Sequence, residues 1–406
     1  MEGQRIRHRF CSFRHFLYSD ELWPDKVLAL PVDRCIESMG AAKARAMSGA
    51  GDDLRVEVVG AMAQITLDRA KALNALTVAM RAELSASLWR YARDPQIYAV
   101  VVQSASPRAF SAGSDVREIL TLAQTDLAAA RAAFRDEYSL NWQWECFSKP
   151  TLPLINGMVM GGGVGITQYG THRVAGEGYS FAMPETLIGF IPDIGAAHVL
   201  ARLADKVGMY LGLTGRSIGR ADAFALGLVT HCIASEHFAA ITSEVADAWP
   251  VDPVLDTRHV DPGPGELAPY RDVIADCFSG PSVEEITARL ESIEGAEKAW
   301  AADVAADLRR RSPLALKIAH RHIREAGARS LRETLEIDYR LAWRLLLGHD
   351  FKEGVRAALI DKDGAPRWRP DRLEDVTHAM LDDCFAPLGA DELALPTREE
   401  MQAARA

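Results

Sequence analysis

Period-two alternation of apolar and polar positions begins near Leu54. Arg55-Val-Glu-Val-Val and Ala63-Gln-Ile-Thr-Leu flank Gly60-Ala61, a pattern that predicts a hairpin. Met80, Leu84 and Leu88 then recur at helical spacing behind Thr77, a good N-cap. Ala99-Val-Val-Val-Gln and the run from Pro150 to Ile155 are short and apolar throughout, which suits buried strands. Helices are expected over 116–123 and 126–147. Up to about residue 235 the chain alternates strands, glycine-containing loops and helices, an α/β pattern.

Beyond that point the strand signals vanish. Pro250 to Pro269 holds five prolines and reads as a loop or linker. Ser312-Pro313 predicts a helix start with proline at the first helical position. Ser330-Leu-Arg-Glu333 reads as a capping box. Its helix carries Leu331, Leu335, Tyr339, Ala342, Leu345 and Leu346 on one face and ends at Gly348. The expected division is an arm at 1–50, a core at 51–250, a linker at 251–270, a helical region at 271–390 and a tail at 391–406. In the arm, Arg5, Arg7, Arg9 and Arg14 precede Asp20, a weak likeness to a transit peptide. Met47 would also make a natural start, so the arm reads as disordered or superfluous, with a targeting segment as the alternative.

Composition narrows the class. The chain has 406 residues, 48% apolar and 25% charged, ordinary for a globular protein with a sizeable core. A net charge of -10 argues against nucleic acid as a partner. The six cysteines are scattered without a CxxC pair, which suits a reducing compartment and neither a disulfide framework nor a zinc site. No apolar run has the length of a membrane span. A cytoplasmic protein is therefore expected.

The candidate chemistry lies between 157 and 195. Gly161-Gly162-Gly163 follows a strand and opens a helix, where the first N–H groups have no intrahelical acceptor. A tight turn explains such a run equally well. Glu185 and Asp193 follow in apolar, glycine- and proline-punctuated surroundings; alone, each also reads as a helix-start or turn residue. The chain has no P-loop lysine, no GxGxxG in a first βαβ unit, no GxSxG elbow and no HExxH. Ala112-Gly-Ser-Asp115 offers a second backbone N–H at Ser114. Two such donors from separate loops make an oxyanion hole, in which one donor contributes about 3 kcal/mol to transition-state stabilisation.

Leu67-Asp-Arg-x-Lys-Ala-Leu-Asn-Ala-Leu76, Phe110-x-Ala-Gly-x-Asp115 and Asn156-Gly-x-x-x-Gly-Gly-Gly163 resemble the crotonase (enoyl-CoA hydratase/isomerase) superfamily. Glu137-Tyr138, Phe181-Ala-Met-Pro-Glu-Thr186, Gly189-Phe-Ile-Pro-Asp193, Leu213-Thr-Gly215, and Gly348-His-Asp-Phe-x-Glu-Gly through Asp363 with Pro366-x-Trp368 resemble its 3-hydroxyisobutyryl-CoA hydrolase branch. The resemblance covers about 54–385. It implies an α/β, crotonase-like spiral of ββα turns with a helical C-terminal region. The substrate implied is a short 3-hydroxyacyl-CoA thioester, hydrolysed in valine breakdown, with CoA as part of the substrate; the resemblance implies no metal or redox cofactor, and a homo-oligomer is left open.

Residue by residue, the resemblance puts the oxyanion-hole amides at Ser114 and Gly162. The main carboxylate falls at Glu185. Asp193 is the second, orienting the 3-hydroxyl or assisting proton transfer, and Glu137 contacts the substrate. Lys71, Ala72 and Ala112 fall at the CoA site; Arg69 is a further candidate for its phosphates. Hydratases carry a glutamate where this chain has Gly165, and tend to have glycine where it has Asp193, so both differences favour hydrolysis. The rivals are a hydratase or isomerase and a non-catalytic acyl-CoA binder. Ser114 replaces the usual glycine or alanine, a change expected to matter little because the amide does the work. Arg309-Arg-Arg311 reads as a solvated helix end. His172, His198, His231 and His349 read as structural, and Trp142 and Trp144 as core.

Overall fold

The computed structural model describes residues 51–404. The expected arm at 1–50 therefore lies outside the described residues. Ten strands form two sheets. The first has the order β1 (Leu54–Val59), β2 (Met62–Leu67), β3 (Ala99–Ser104), β5 (Thr151–Ile155), β7 (Val174–Ala175) and β10 (His231–Cys232). The second has the order β4 (Ala109–Ser111), β6 (Met158–Met160), β8 (Ser180–Ala182) and β9 (Ile218–Gly219). β1 and β2 make the antiparallel hairpin and the rest of the first sheet is parallel. Each pass of the chain leaves one strand in each sheet before a helix or loop returns it, as in β3–β4, β5–β6 and β7–β8. This is the expected spiral.

Local chemistry explains the elements. β3 is buried on both faces through Val102, as an all-apolar run requires. Thr77 caps the helix Val78–Arg93, its side chain accepting from the Met80 N–H. The helices Val116–Thr125 and Leu127–Glu145 each start on an aspartate that accepts a backbone N–H, Asp115 and Asp126. Ser312 caps Pro313–Ala326, and the Ser330/Glu333 capping box closes on itself ahead of Leu331–Leu347.

Two expectations need adjusting. Within the proline-rich stretch, Val251–Asp256 is helical, because Pro253 falls in its first turn and leaves no helical hydrogen bond broken. That stretch is tied to the core by Asp222, whose carboxylate accepts from the Glu266 and Leu267 amides at 3.0 and 3.1 Å. The tail is packed on the core: Trp142 donates to Pro396 O at 2.8 Å, and Leu393, Leu395 and Met401 are buried. Finally, Arg311 is not solvated. It is buried and donates to Thr214 O at 2.6 Å, capping a carbonyl at the end of the helix Val207–Thr214. Trp142 and Trp144 are both buried, as read. No helix among the described residues is long and apolar enough to cross a membrane.

Candidate active site

A cavity of about 850 Å³ opens between the spiral and the C-terminal helices. Lys71, Ala72, Ala112, Ser114, Glu137, Gly162, Glu185 and Asp193 all line it. Residues spread over more than a hundred positions of sequence thus meet in one place.

The amide side is built by loops laced together through backbone. Asn74 has a left-handed backbone, and its side chain donates to Ser104 Oγ at 2.7 Å and Phe110 O at 3.0 Å. Leu76 N–H donates to Gly113 O at 2.7 Å, and Asp115 N–H to Leu76 O at 2.9 Å. The first loop therefore holds the second. Gly113 has φ +98°, and a Cβ there would sit 3.2 Å from Gly162 N. Gly162 opens the short helix Gly162–Gly165, so its N–H faces outward from a helix start. The two loops meet, with the Ser114 amide nitrogen 3.1 Å from where a Gly162 Cβ would stand.

Carboxylates flank this pair of glycines. A Cβ on Gly161 would lie 2.9 Å from Glu185 Oε1, and one on Gly162 2.8 Å from Glu137 Oε1. Glu185 begins the 3-10 turn Glu185–Ile188, which Gly189 ends in a left-handed conformation. Thr186 fastens that turn by donating to Leu213 O at 3.0 Å. The C-terminal motif supports it from behind. Gly354 packs so closely on the Ile188 backbone that a Cβ there would overlap it. Asp350, which follows Gly189 in space, accepts from Ser312 Oγ at 2.6 Å and Arg369 N at 2.8 Å.

Burial governs the electrostatics. Glu185 is 8% exposed and its Oε2 has no hydrogen-bond partner in the protein. Burial pushes its carboxyl up to about 8. Asp193 is pushed well above the carboxylate range, first by burial, then by repulsion from Glu137, Glu185 and Asp338; the Tyr138 hydroxyl, donating at 2.7 Å, opposes this. Asp193 precedes Ile194, a β-branched residue at φ +55°. Such strain costs about 1–3 kcal/mol and persists only where neighbours impose it. Here Tyr169 donates to Ile194 O at 2.7 Å, and Gly195 N–H donates to Asp338 Oδ2 at 2.6 Å. Asp338 is held in turn by His322 Nε2 at 2.6 Å.

Arg69 also lines the cavity, where it pairs with Asp115 at 2.8 Å and Asp53 at 3.3 Å. Lys71 is exposed at the rim. The four histidines read as structural make structural contacts, His172 with Asp252 and His231 with Asp256 among them.

The sequence reading missed Arg81, Asn141, His322 and Asp338, and gave Tyr138 no role. Arg81 faces Glu137 at 3.2 Å with both side chains buried. Asn141 lies so close to Gly165 that a Cβ there would overlap its amide nitrogen. A partial signal existed for all but His322: Arg81 and Asp338 interrupt apolar helical stripes, and Glu137, Tyr138 and Asn141 lie on the buried, mostly apolar face of the helix Leu127–Glu145.

Paired amides beside buried carboxylates define an acyl-transfer type of centre. The family comparison makes the class specific. The model of the family described as enoyl-CoA hydratase/isomerase matches residues 62–385, and the chain belongs to that family. It is 39% identical over 346 residues to the mitochondrial 3-hydroxyisobutyryl-CoA hydrolase of Xenopus laevis, covering 83% of this chain and 89% of that protein. Its identity to the human mitochondrial 3-hydroxyisobutyryl-CoA hydrolase is 36%, over 85% of this chain and 91% of that protein. Among solved structures, a carnitinyl-CoA dehydratase from Mycobacterium thermoresistibile is 36% identical with a TM-score of 0.79, covering 85% of this chain and 99% of that one. An enoyl-CoA hydratase from Rhodobacter sphaeroides 2.4.1 has the same identity and TM-score, covering 85% and 100%.

Proposed function

We propose that the protein hydrolyses a short 3-hydroxyacyl-CoA thioester, 3-hydroxyisobutyryl-CoA, to the free hydroxy acid and CoA, a step of valine breakdown. The curated relatives named above support this, and one observation of the site carries it. The position of the hydratase glutamate is Gly165, and the Asn141 amide fills the space a side chain would need there. Hydration of a double bond is thereby denied its second carboxylate. A different second carboxylate, Asp193, lines the cavity with Glu185.

In this reading the thioester carbonyl accepts from the Ser114 and Gly162 amides. Glu185 attacks the carbonyl carbon or deprotonates the attacking water. The C–S bond breaks, and Asp193, whose burial and acidic neighbours favour the protonated form, supplies a proton to the departing thiolate; on the nucleophilic route water then hydrolyses the acyl–Glu185 anhydride. Lys71, Ala72 and Ala112 border the CoA moiety.

The two solved structures named as dehydratase and hydratase, each 36% identical, favour a second reading, addition of water to an enoyl thioester. A thiol-trapping assay separates the two. Hydrolysis releases free CoA from 3-hydroxyisobutyryl-CoA, and Glu185→Gln lowers that release at least about a hundredfold. Turnover of crotonyl-CoA without thiol release would overturn the hydrolase reading. Single turnover in oxygen-18 water then tests how Glu185 acts: label in its carboxyl requires the anhydride route.

A further inference from the structure

Arg81 buries a guanidinium without hydrogen-bond partners. It rises from the helix Val78–Arg93 into the core, its side chain 2% exposed, and its three guanidinium nitrogens lack hydrogen-bond partners. Its ion-pair partner is Glu137, itself buried, with Nη1 3.2 Å from Oε2. A buried ion pair of this kind adds little or nothing to stability compared with apolar residues of similar volume. The other oxygen, Glu137 Oε1, accepts the hydroxyl of Ser114. An ionised carboxylate only accepts, so it retains lone pairs beyond these two contacts. Glu137 lines the cavity, against the paired amides.

We propose that Arg81 and the Ser114 hydroxyl are positioning residues for substrate recognition: together they hold the Glu137 carboxylate beside the amide pair as the acceptor for a hydroxyl on the acyl chain. This rests on the thioester reading above. Ser114 then serves twice. Its N–H faces the carbonyl oxygen while its O–H fixes the group that reads the substrate hydroxyl. Carbonyl and hydroxyl are thus sensed one side chain apart, which matches a hydroxyl close to the thioester and excludes one far along a chain. The serine is more than a neutral replacement for glycine or alanine.

The test uses non-hydrolysable thioether analogues of 3-hydroxyisobutyryl-CoA and isobutyryl-CoA, with binding measured by calorimetry. The native protein is expected to prefer the hydroxylated analogue by about tenfold or more, the effect of a hydrogen bond to a charged group. Ser114→Ala, which keeps the amide, and Arg81→Lys, which keeps the charge but replaces the broad guanidinium with a compact ammonium, are each expected to cut that preference to within about threefold. The double variant Arg81→Met/Glu137→Leu, which puts apolar residues in place of the ion pair, is expected to melt close to the native protein and to show no preference. A preference that survives in Ser114→Ala and Arg81→Lys, or equal weakening of both analogues, overturns the proposal. So does a native protein without preference. If Arg81→Lys does not fold, Ser114→Ala decides alone. Thiol release from the native substrate is scored separately: its absence would sink the hydrolase reading, whereas retained hydrolysis with unchanged preference would sink only the positioning role.

Discussion

The two sides of the cavity are made differently. On one, backbone does the work: the Ser114 and Gly162 amides are set by glycine turns, and the loops that carry them are bonded to one another within the spiral. On the other, Glu185 and Asp193 are held by side chains that arrive from the C-terminal helices, Asp338 on Gly195 and Asp350 behind the Glu185 turn. The first side is cheap to maintain and leaves little room for change. The second is strained, crowded with like charges, and depends on contacts more than a hundred residues away.

That difference predicts where each side breaks. The largest effect is expected from Gly162→Ala. The new Cβ would overlap the Ser114 hydroxyl and lie 2.8 Å from Glu137 Oε1, so the helix start must shift and its N–H with it. Loss of one oxyanion donor lowers kcat by about 10²–10³-fold. Overpacking should cost about 1–3 kcal/mol of stability, a smaller effect than the loss of rate. A variant that kept its activity would show that the Gly162 amide is not a donor.

On the carboxylate side the order is reversed, with stability failing first. Asp338→Ala strips the acceptor from both the Gly195 N–H and the His322 imidazole, all buried, and removes a restraint on strained Ile194. Each stranded buried group costs about 1–3 kcal/mol. Urea unfolding should therefore report a loss of about 3 kcal/mol or more, with activity falling in the folded fraction as Asp193 moves. A stability loss below about 1 kcal/mol would mean that Tyr138 and Tyr169 hold the Asp193 loop unaided.

The same contrast decides what could be read from the chain alone. The amide side was legible because its parts are short, contiguous and unusual: Ala112-Gly-Ser-Asp115, the triple glycine, and Asn74 in its loop. Glu185 and Asp193 were legible only through resemblance, since a carboxylate before a turn has ordinary explanations. Their supports were not. Asp338 looks like one polar residue on an amphipathic helix until Gly195 is seen against it, and Arg81 like a surface arginine until Glu137 is. Arg311, taken as solvated, is buried because a carbonyl at the end of Val207–Thr214 needs a donor, a requirement that arises only in the packed state. The helical signals, from Thr77 to Ser330, were local and therefore readable, whereas the meeting of the two loops was a matter of topology.

The last expected effect distinguishes the sides by charge. In the proposed mechanism the amide side acts through groups that do not titrate, while burial lifts Glu185 from an ordinary 4.5 to about 8. The folded protein then keeps a proton on Glu185 between those values where the unfolded chain releases it. Stability gained from this proton is fully present below about 4.5 and is lost as pH rises through about 8, at roughly 1.4 kcal/mol per pH unit at most. Because attack and base catalysis both need the ionised form, kcat/KM should rise over the same interval in which stability falls. Glu185→Gln removes the titrating group, so its stability relative to the native protein should improve steadily from pH 5 to pH 8. Gly162→Ala, altered on the other side, should keep the native slope. Unfolding curves at several pH values for the three proteins test this directly. A native protein and a Glu185→Gln variant with parallel pH profiles would mean that Glu185 is ionised at neutral pH, with its charge solvated in a way that the buried, unpartnered Oε2 does not allow.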